Sequence, residues 1–365
     1  MQALIDPLHQ RFGTMRFLRR ATIALLVMSG AACQNLPPDR ASPGAAESRP
    51  DRIIRLLSAL AADSMAGRAT GTEGSAMAAR LIARELEAAG VQPAGTDGYV
   101  QEIPAVRLNL PSGRTRIVRE DLADTFPEAT RESVTDRNIV AIVRGVDPRV
   151  GDEAIVVGAH FDHVGIREPV DGDSIYNGAD DDASGVVAVL EAARAMANGV
   201  PPRRTVVFVL FTGEEVGGLG SGWYLDHPAV PLENTVAQLQ VEMIGRPDSL
   251  AGGPGMLWAT GYERSTIGEF LAAEGISVVP DPYPSQNFFF RSDNVAFAYR
   301  RIPAHTLSSF NLHDDYHRPS DEVDAVDFGH MTAAVETVIM AVRALADAEE
   351  SPRWNEGGRP ERGGR

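Results

Sequence analysis

The stretch Asp180-Asp181-Asp182-Ala183-Ser184-Gly185 decides the fold, and it runs directly into the apolar segment 186–190. Three adjacent carboxylates repel one another, and removing them from water is costly unless a positive group compensates. A bound cation would supply that compensation. Other His, Asp and Glu side chains follow apolar, strand-like runs on both sides of this stretch. The pattern therefore predicts a metal site built on an α/β sheet.

Apolar segments alternate with amphipathic ones along the chain. Short runs rich in β-branched residues are typical of strands that are buried on both faces, and they lie at 138–144, 154–158, 205–211, 236–243 and 304–308. Helical spacing or length predicts helices at 51–63, 72–89, 183–198, 265–274 and 327–348. Residues 98–137 are mixed, and we expect a short edge hairpin or a lid there. This alternation predicts a three-layer α/β/α fold with a central, mostly parallel mixed sheet.

The N-terminal region is typical of an export signal. Arg16, Arg19 and Arg20 precede an apolar run at 21–28, small residues follow, and Cys33 is the single cysteine. The site resembles a bacterial lipoprotein acylation site, although Gly30 stands where such sites usually carry Leu. We therefore expect an exported protein, either periplasmic or anchored to the bacterial envelope through Cys33. An ordinary cleaved signal with an incidental cysteine is the alternative.

These segments suggest four regions. Residues 1–33 are interpreted as the signal, and residues 34–50, rich in Pro, Ala and Ser, as a flexible linker. Residues 51–348 form the catalytic domain in this interpretation, and the polar, Gly-rich segment 349–365 is expected to be a disordered tail.

The overall charge excludes one class of partner. The chain has 365 residues, with 50 acidic and 34 basic side chains and a net charge of −16. Binding of nucleic acid requires a basic surface, so we expect no nucleic-acid partner. The acidity by itself indicates no more than solubility.

Candidate metal ligands lie where predicted strands end. His160 and Asp162 follow the strand at 154–158, Glu214 and Glu215 follow the strand at 205–211, and Glu242 closes the strand at 236–243. Open α/β sheets bind their ligands at such strand ends. A histidine that binds zinc usually has its second ring nitrogen held by a carboxylate or a carbonyl.

Each of these signals has a simpler explanation when it stands alone. A His-x-Asp pair is common on surfaces, an Asp or Ser at a helix start often caps the helix, and two adjacent glutamates often form an exposed turn. Capping requires one such residue, whereas three acids precede the helix here. It is the combination with His317, in the polar loop 313–321, that predicts a metal site.

Taken in chain order, five motifs resemble those of the co-catalytic di-zinc aminopeptidases, a family that also contains glutamate carboxypeptidase, the transferrin-receptor ectodomain and glutaminyl cyclase. The resemblance covers about residues 51–345. The motifs are Gly158-Ala159-His160-Phe161-Asp162, Gly178-Ala179-Asp180-Asp181-Asp182-Ala183-Ser184-Gly185, Phe211-Thr212-Gly213-Glu214-Glu215-Val216-Gly217, Glu242-Met243-Ile244-Gly245 and Asp315-Tyr316-His317-Arg318-Pro319-Ser320-Asp321.

The resemblance implies a role for each matching residue. It implies two Zn²⁺ ions per chain, bridged by Asp181, with a peptide bond after Asp181 that is often cis in this family. The implied zinc ligands are His160, Asp181, Glu215, Glu242 and His317. The implied catalytic residues are Glu214 as general base, Asp162 behind His160, and Tyr316 at the oxyanion. Glu242 departs from the family because many members carry Asp there, and Asn294 departs because relatives often carry His after Ser-Asp.

The family's chemistry implies an enzyme that removes N-terminal residues from peptide substrates. Phe288, Phe289 and Phe290 either line a pocket for the first side chain or belong to the core. A carboxypeptidase-type exopeptidase and a single-zinc cyclase are the enzymatic alternatives. A non-catalytic binding relative is the third, although such relatives typically lose ligands. The sequence does not indicate an oligomeric state.

Overall fold

The computed structural model describes residues 47–361. The expected signal segment, Cys33 and most of the expected linker lie outside these residues, as do residues 362–365. Seven helices lie within the described part: α1 Arg49–Leu60, α2 Glu73–Ala88, α3 Gly185–Asn198, α4 Leu219–Asp226, α5 Ile267–Ala273, α6 Asn294–Tyr299 and α7 Phe328–Asp347. Every predicted helix is found, within a few residues of its expected bounds.

Two sheets contain the strands of the described residues. The strands are β1 Gln92–Pro93, β2 Val100–Asn109, β3 Thr115–Arg119, β4 Thr130–Val143, β5 Ala154–His160, β6 Gly165–Val170, β7 Asp173–Tyr176, β8 Thr205–Phe211, β9 Thr235–Glu242, β10 Leu257–Ala259, β11 Val278–Pro280 and β12 Ala304–Ser308. The large sheet has the order β11-β10-β12-β9-β5-β8-β4-β2-β3, with β1 paired to β4. Strands β6 and β7 form a separate hairpin.

The centre of the large sheet is parallel and its flanks are largely antiparallel. Strands β12, β9, β5 and β8 run parallel to one another. On one flank β4, β2 and β3 pair antiparallel, and on the other β10 is antiparallel to β12. The mixed sheet is confirmed, with its parallel part confined to the strands that carry the site. The predicted edge hairpin is the pair β2–β3.

Side chains alternate between two apolar layers along β5. Ile155 and Val157 pack toward α1, α2, α3, α5 and α7, whereas Val156 packs toward α4 and α6. All seven residues of β5 are buried, as are all seven of β8, because helices cover both faces of the parallel strands. This arrangement confirms the three-layer α/β/α fold.

Helix α7 is the last helix in the described part of the chain. By length and composition it could cross a membrane, and half of its apolar window is buried inside the protein. Asp327 caps the helix by accepting a hydrogen bond from the His330 N–H at 2.9 Å. The apolar character of α7 is therefore accounted for by its packing against α1 and α3 in the core.

The segment expected to be a disordered tail is ordered over residues 349–361. Trp354 forms an isolated β-bridge with Ser265, and its indole N–H donates to the Arg301 carbonyl at 2.9 Å. Asn355 donates its side-chain amide to the Glu263 carbonyl at 2.8 Å. Long-range contacts rather than local composition order this segment, so the expectation of disorder is wrong here.

Candidate metal centre

The parallel strands end at one edge of the sheet, so that their last residues lie close together. Strand β5 ends at His160 and β9 ends at Glu242. The register pairs Gly158 with Gln240, so that the residues two positions further along, His160 and Glu242, lie level with each other. The turn after β8 adds Glu214 and Glu215 at the same edge.

Asp181 lies between two groups of donor atoms. Its Oδ1 is 3.3 Å from His160 Nε2, and that nitrogen is 3.8 Å from Glu242 Oε1. Its Oδ2 is 3.1 Å from His317 Nε2, which lies 3.0 Å from Glu215 Oε1. One carboxylate oxygen therefore faces each group, as expected of a ligand that bridges two metal ions.

His163 joins the second group, although it is not among the sequence-predicted ligands. Its Nδ1 lies 3.0 Å from Glu215 Oε1 and 3.8 Å from Asp181 Oδ2. One donor atom from each of His163, Asp181, Glu215 and His317 falls within 4.8 Å of all the others. The spacing His160-x-x-His163 was the available signal, since both residues follow the same strand.

The donor atoms of this group approach one another without forming hydrogen bonds. His163 Nδ1 and Glu215 Oε1 are 3.0 Å apart, yet both are buried and neither has a hydrogen-bond partner. Buried polar atoms almost always have a partner, so these atoms are directed at a common point rather than at each other. Histidine nitrogen with carboxylate oxygen is a donor set that suits zinc. The residues present therefore fit a bound metal ion.

Two of the three consecutive acids brace the loop instead of facing the donor groups. Asp182 Oδ2 accepts from the His160 N–H at 3.2 Å, and its Oδ1 accepts from the N–H groups of Met243 and Gly185 at 3.1 and 3.0 Å. The ends of β5, β9 and α3 are thereby fixed together. The peptide bond between Asp181 and Asp182 is cis, which confirms that expectation.

The first acid of the triplet fixes the other side of this loop. Asp180 Oδ1 accepts from the Gly245 N–H at 2.7 Å, and the carboxylate of Asp321 accepts from the N–H groups of Asp180 and Asp181, both at 3.0 Å. Although burial alone would raise it, the nearby rings of His160 and His317 hold the pKa of Asp181 well below its ordinary value. The triplet thus combines one donor residue with two supports.

A buried arginine offsets part of this negative charge. Arg68 is completely buried and donates to the backbone carbonyls of Leu60, Phe161, Asn177 and Gly178 at 2.6 to 3.0 Å. Two of these carbonyls belong to the loop that leads into the acidic triplet, and another lies between His160 and Asp162. The guanidinium therefore supports the positions of two donor loops at once, although no sequence motif pointed to it.

Asp162 orients its neighbours in two ways. Its carbonyl oxygen lies 3.1 Å from His160 Nδ1, which leaves Nε2 free to face Asp181. Its carboxylate accepts from the N–H groups of Glu214 and Glu215 at 3.1 and 3.3 Å. The expected support behind His160 thus comes from the backbone, since the carboxylate is 3.7 Å from the ring.

Glu214 and Tyr316 face an open pocket beside the donor atoms. The pocket has an open volume of about 490 Å³, and its wall includes Asp181 and Glu242. Burial raises the pKa of Glu214 well above its ordinary value, and the charge of Glu242 raises it further, while His160 opposes the shift. Burial raises the pKa of Tyr316 as well, and the charges of Asp181 and Glu215 raise it further.

Aromatic side chains form the apolar part of this pocket. Phe288 stacks on Trp258 with ring centroids 5.3 Å apart, and Phe310 packs against Phe288 edge-on at 5.9 Å. Phe289 instead belongs to the core layer behind the sheet, and the side chain of Phe290 is exposed. Of the three phenylalanines, one lines the pocket.

The departures noted in the sequence have local consequences. Glu242 accepts a short hydrogen bond from the Ser292 hydroxyl, which holds the longer side chain in position beside His160. Asn294, where relatives often carry His, donates to the Phe289 carbonyl at 3.1 Å and accepts from the Thr306 hydroxyl at 3.0 Å. It therefore supports the pocket wall and does not face the donor atoms.

The structure brings all eight sequence-predicted residues to this edge of the sheet: His160, Asp162, Asp181, Glu214, Glu215, Glu242, Tyr316 and His317. The model of peptidase family M28 matches residues 138–342. The chain belongs to this family. That match spans every one of the eight residues.

Two curated relatives to which this chain is similar are aminopeptidases by name. Aminopeptidase YwaD of Bacillus subtilis is 22% identical over 301 residues, covering 78% of this chain and 61% of the relative. A probable leucine aminopeptidase 2 of Aspergillus oryzae is 28% identical over 186 residues, covering 50% and 35%. The chain thus spans between about a third and three fifths of the length of these relatives.

Solved structures share the fold. An aminopeptidase from Aneurinibacillus sp. strain AM-1 superposes with a TM-score of 0.59 at 16% identity, over 84% of this chain and 98% of that one. The glutaminyl cyclase of Porphyromonas gingivalis gives 0.56 at 18% identity, over 80% and 97%. At these identities the likeness establishes the fold.

Proposed function

We propose that this chain is a zinc-dependent aminopeptidase with two metal ions. One observation carries the proposal: two groups of donor atoms converge on the two oxygens of Asp181, beside the Glu214 side chain that lines the pocket. Membership of peptidase family M28 supports it. The names of the curated relatives support it as well.

The ligand atoms divide into two sets. His160, Asp181 and Glu242 would hold one zinc ion, while Asp181, Glu215 and His317 would hold the other, with His163 adjoining the second set. When bound, two such ions polarise a substrate carbonyl and lower the pKa of a water molecule.

The protein's own groups would move the proton and stabilise charge. Glu214, which lines the pocket beside the donor atoms, takes a proton from the attacking water and passes it to the leaving amine. The Tyr316 hydroxyl donates a hydrogen bond to the oxyanion of the tetrahedral intermediate. Asp162 holds the Glu214 backbone in place through its carboxylate.

The pocket would select the N-terminal residue of a peptide. Glu214 and Glu242 supply negative charge to a free α-ammonium group at one end of it. Trp258, Phe288 and Phe310 offer an apolar surface for the first side chain. Together these groups favour peptides that begin with a large apolar residue.

The second set of ligands also argues against the alternatives. A single-zinc cyclase has no need for two separate donor groups around one aspartate, and a non-catalytic relative has no need to keep a glutamate such as Glu214 in the pocket wall. Asp181, Glu214 and Glu242 outnumber Arg291 among the charged groups of the pocket wall, which suits a substrate ammonium better than the terminal carboxylate that a carboxypeptidase would bind.

Metal analysis together with hydrolysis tests the proposal. The purified protein should contain close to two zinc ions per chain and should hydrolyse leucyl peptides until a chelator removes the metal. Re-addition of zinc should restore hydrolysis. A content that stays at one ion under excess zinc would contradict the two-metal assignment and favour the cyclase.

We also propose export to the bacterial envelope with lipid attachment at Cys33, which the basic, apolar and small-residue segments before it support. Changing Cys33 to Ser should release the protein from membrane fractions into the soluble envelope fraction. An unchanged distribution in cell fractionation would make the cysteine incidental.

A further inference from the structure

A second cavity has Glu215 and Val216, at the end of the Glu214-Glu215 turn, in its wall. Strand β3 contributes Arg116 to its wall, the β6–β7 hairpin contributes Arg167, and Glu215 and Val216 complete it. Glu214 and Glu242 line the aromatic pocket, whereas Glu215 lines this cavity. The two cavities therefore adjoin the two different donor groups around Asp181.

The two arginines in this wall are exposed and form no ion pair within residues 47–361. Arg167 donates through Nε to the Val164 carbonyl at 3.0 Å, and the Arg116 guanidinium lies 5.8 Å from the Phe126 ring centroid. Other arginines of the same edge strands are paired: Arg107 with Glu132 at 2.9 Å, and Arg119 with Asp121 at 2.7 Å.

Glu215 is the one acid among the residues that line this cavity, and its Oε1 is directed at the second donor group rather than at the arginines. Its Oε1 lies 3.0 Å from both His317 Nε2 and His163 Nδ1. The guanidinium groups therefore present free donors to whatever enters the cavity. Arginine presents several N–H donors in a planar fork that matches a carboxylate, and such charge-assisted bonds are among the strongest hydrogen bonds in proteins.

We propose that this cavity binds the part of a peptide that follows the scissile bond, and that Arg116 and Arg167 select peptides carrying a carboxylate there. The inference rests on the proposed aminopeptidase function, which assigns the first residue to the aromatic pocket. The carboxylate is either the free C-terminus of a short peptide or an acidic side chain in the second position.

Four matched peptides separate these two sources. Leu-Ala-Ala-amide carries no carboxylate, and Leu-Ala-Ala carries one at its C-terminus. Leu-Asp-Ala-amide carries one on its second side chain, and Leu-Asn-Ala-amide is its neutral match. We expect kcat/KM to be at least about tenfold higher for one anionic peptide than for its neutral match, mostly through KM, because the contact is remote from the reacting atoms. Added salt should reduce the preference.

Variants assign the preference to the two arginines. In the double variant R116Q/R167Q the anionic-to-neutral ratio should fall toward one. Arg114→Gln is the matched control, since Arg114 is exposed in the turn before β3 and does not line the cavity. It should keep the wild-type ratio. A ratio that survives in the double variant overturns the proposal.

Binding measured without turnover distinguishes this inference from the function on which it rests. Calorimetric titration of the four peptides into zinc-loaded Glu214→Gln protein compares their dissociation constants directly. Equal affinities for charged and neutral peptides would overturn the carboxylate site even if all four peptides are hydrolysed by the wild type. If the Glu214→Gln protein binds the anionic peptides more tightly but the wild type hydrolyses none of the four peptides, the carboxylate site is sustained and the aminopeptidase assignment is overturned.

Discussion

Buried histidines occupy two regions of this molecule, and they are used in opposite ways. At the metal centre His163 is buried, and neither of its ring nitrogens has a hydrogen-bond partner. His305, behind the pocket wall, is equally buried, but its nitrogens lie 2.6 Å from the Ser265 hydroxyl and 2.7 Å from the Thr260 carbonyl. His330 is likewise satisfied, by the Gly255 N–H and the Ser309 hydroxyl, both at 2.9 Å.

Burial therefore does not distinguish a ligand from a structural histidine. The distinguishing feature is a ring nitrogen that converges with carboxylate oxygens without bonding to them. Groups left unsatisfied in this way reduce stability and are retained for binding or chemistry, whereas satisfied groups contribute to folding. Substitutions at the metal centre should alter metal content or turnover, whereas substitutions of His305 or His330 should alter stability.

The largest effect is expected at Glu214, which lines the pocket beside these donor atoms. Glu214→Gln keeps the shape of the side chain but removes its capacity to accept a proton. General-base catalysis contributes roughly 10²–10⁴-fold, so turnover should fall by at least about that factor. Zinc content and the unfolding midpoint should match the wild type, as measured on the same preparation.

Glu215 supplies the matched comparison for that experiment. Glu215→Ala should lower zinc content and activity together, because its Oε1 faces the rings of His163 and His317. Loss of zinc from Glu214→Gln would show that the two glutamates have exchanged roles. Near-normal turnover of that variant would remove Glu214 from the mechanism.

The residues that meet at the candidate metal centre could be selected from the sequence because their signals are local. An apolar β-branched run followed by His, Asp or Glu indicates a strand end, and parallel strands bring such ends to one edge. His163 escaped because His160-Phe161-Asp162 was interpreted as a single pair, which left the next residue without a role. His163 belongs to the donor group because Glu215 lies beside it, and the tertiary fold rather than the local sequence sets the position of Glu215.

Segment 349–361, which packs beside His305 in the second region, was predicted less well. Its order comes from contacts with residues that are distant in the sequence. Residues 349–361 are polar and rich in Gly, and their composition favours disorder. They are held instead by Trp354, whose ring lies 6.1 Å from that of His305 and whose indole N–H bonds to Arg301. Arg68 was missed for a similar reason, since its four carbonyl partners come from separate segments.

A smaller effect, on stability, is expected from His305. Burial lowers the pKa of His305 from 6.5 to about 4. Between these values the unfolded chain binds up to one more proton, so the contribution of His305 is complete above pH 6.5 and is lost as the pH falls toward 4. The linked free energy is at most about 3 kcal/mol. His305→Gln, which cannot titrate in this range, should lack this dependence.

Urea denaturation of zinc-free wild type and His305→Gln at several pH values measures that difference. The stability penalty of the variant should be greatest near neutral pH and should shrink on acidification. Comparing the two proteins at each pH cancels the other titrating groups that they share. A penalty that stays constant with pH would mean that His305 is not held neutral by its surroundings.

The smallest effect, and the sharpest test of the comparison, concerns His163 against His330. His163 Nδ1 converges with three other donor atoms, so His163→Gln should weaken one of the two zinc equivalents. Loss of a side chain that supports the ligands of a metal site typically lowers metal affinity by about 10–100-fold. His330→Gln removes an equally buried but satisfied ring and should lower stability while leaving both equivalents unchanged. Competition with a chelator of known affinity measures each equivalent without relying on activity. If both variants bound zinc as the wild type does, unsatisfied ring nitrogens would not mark ligands in this fold, and the distinction between the two regions would fail.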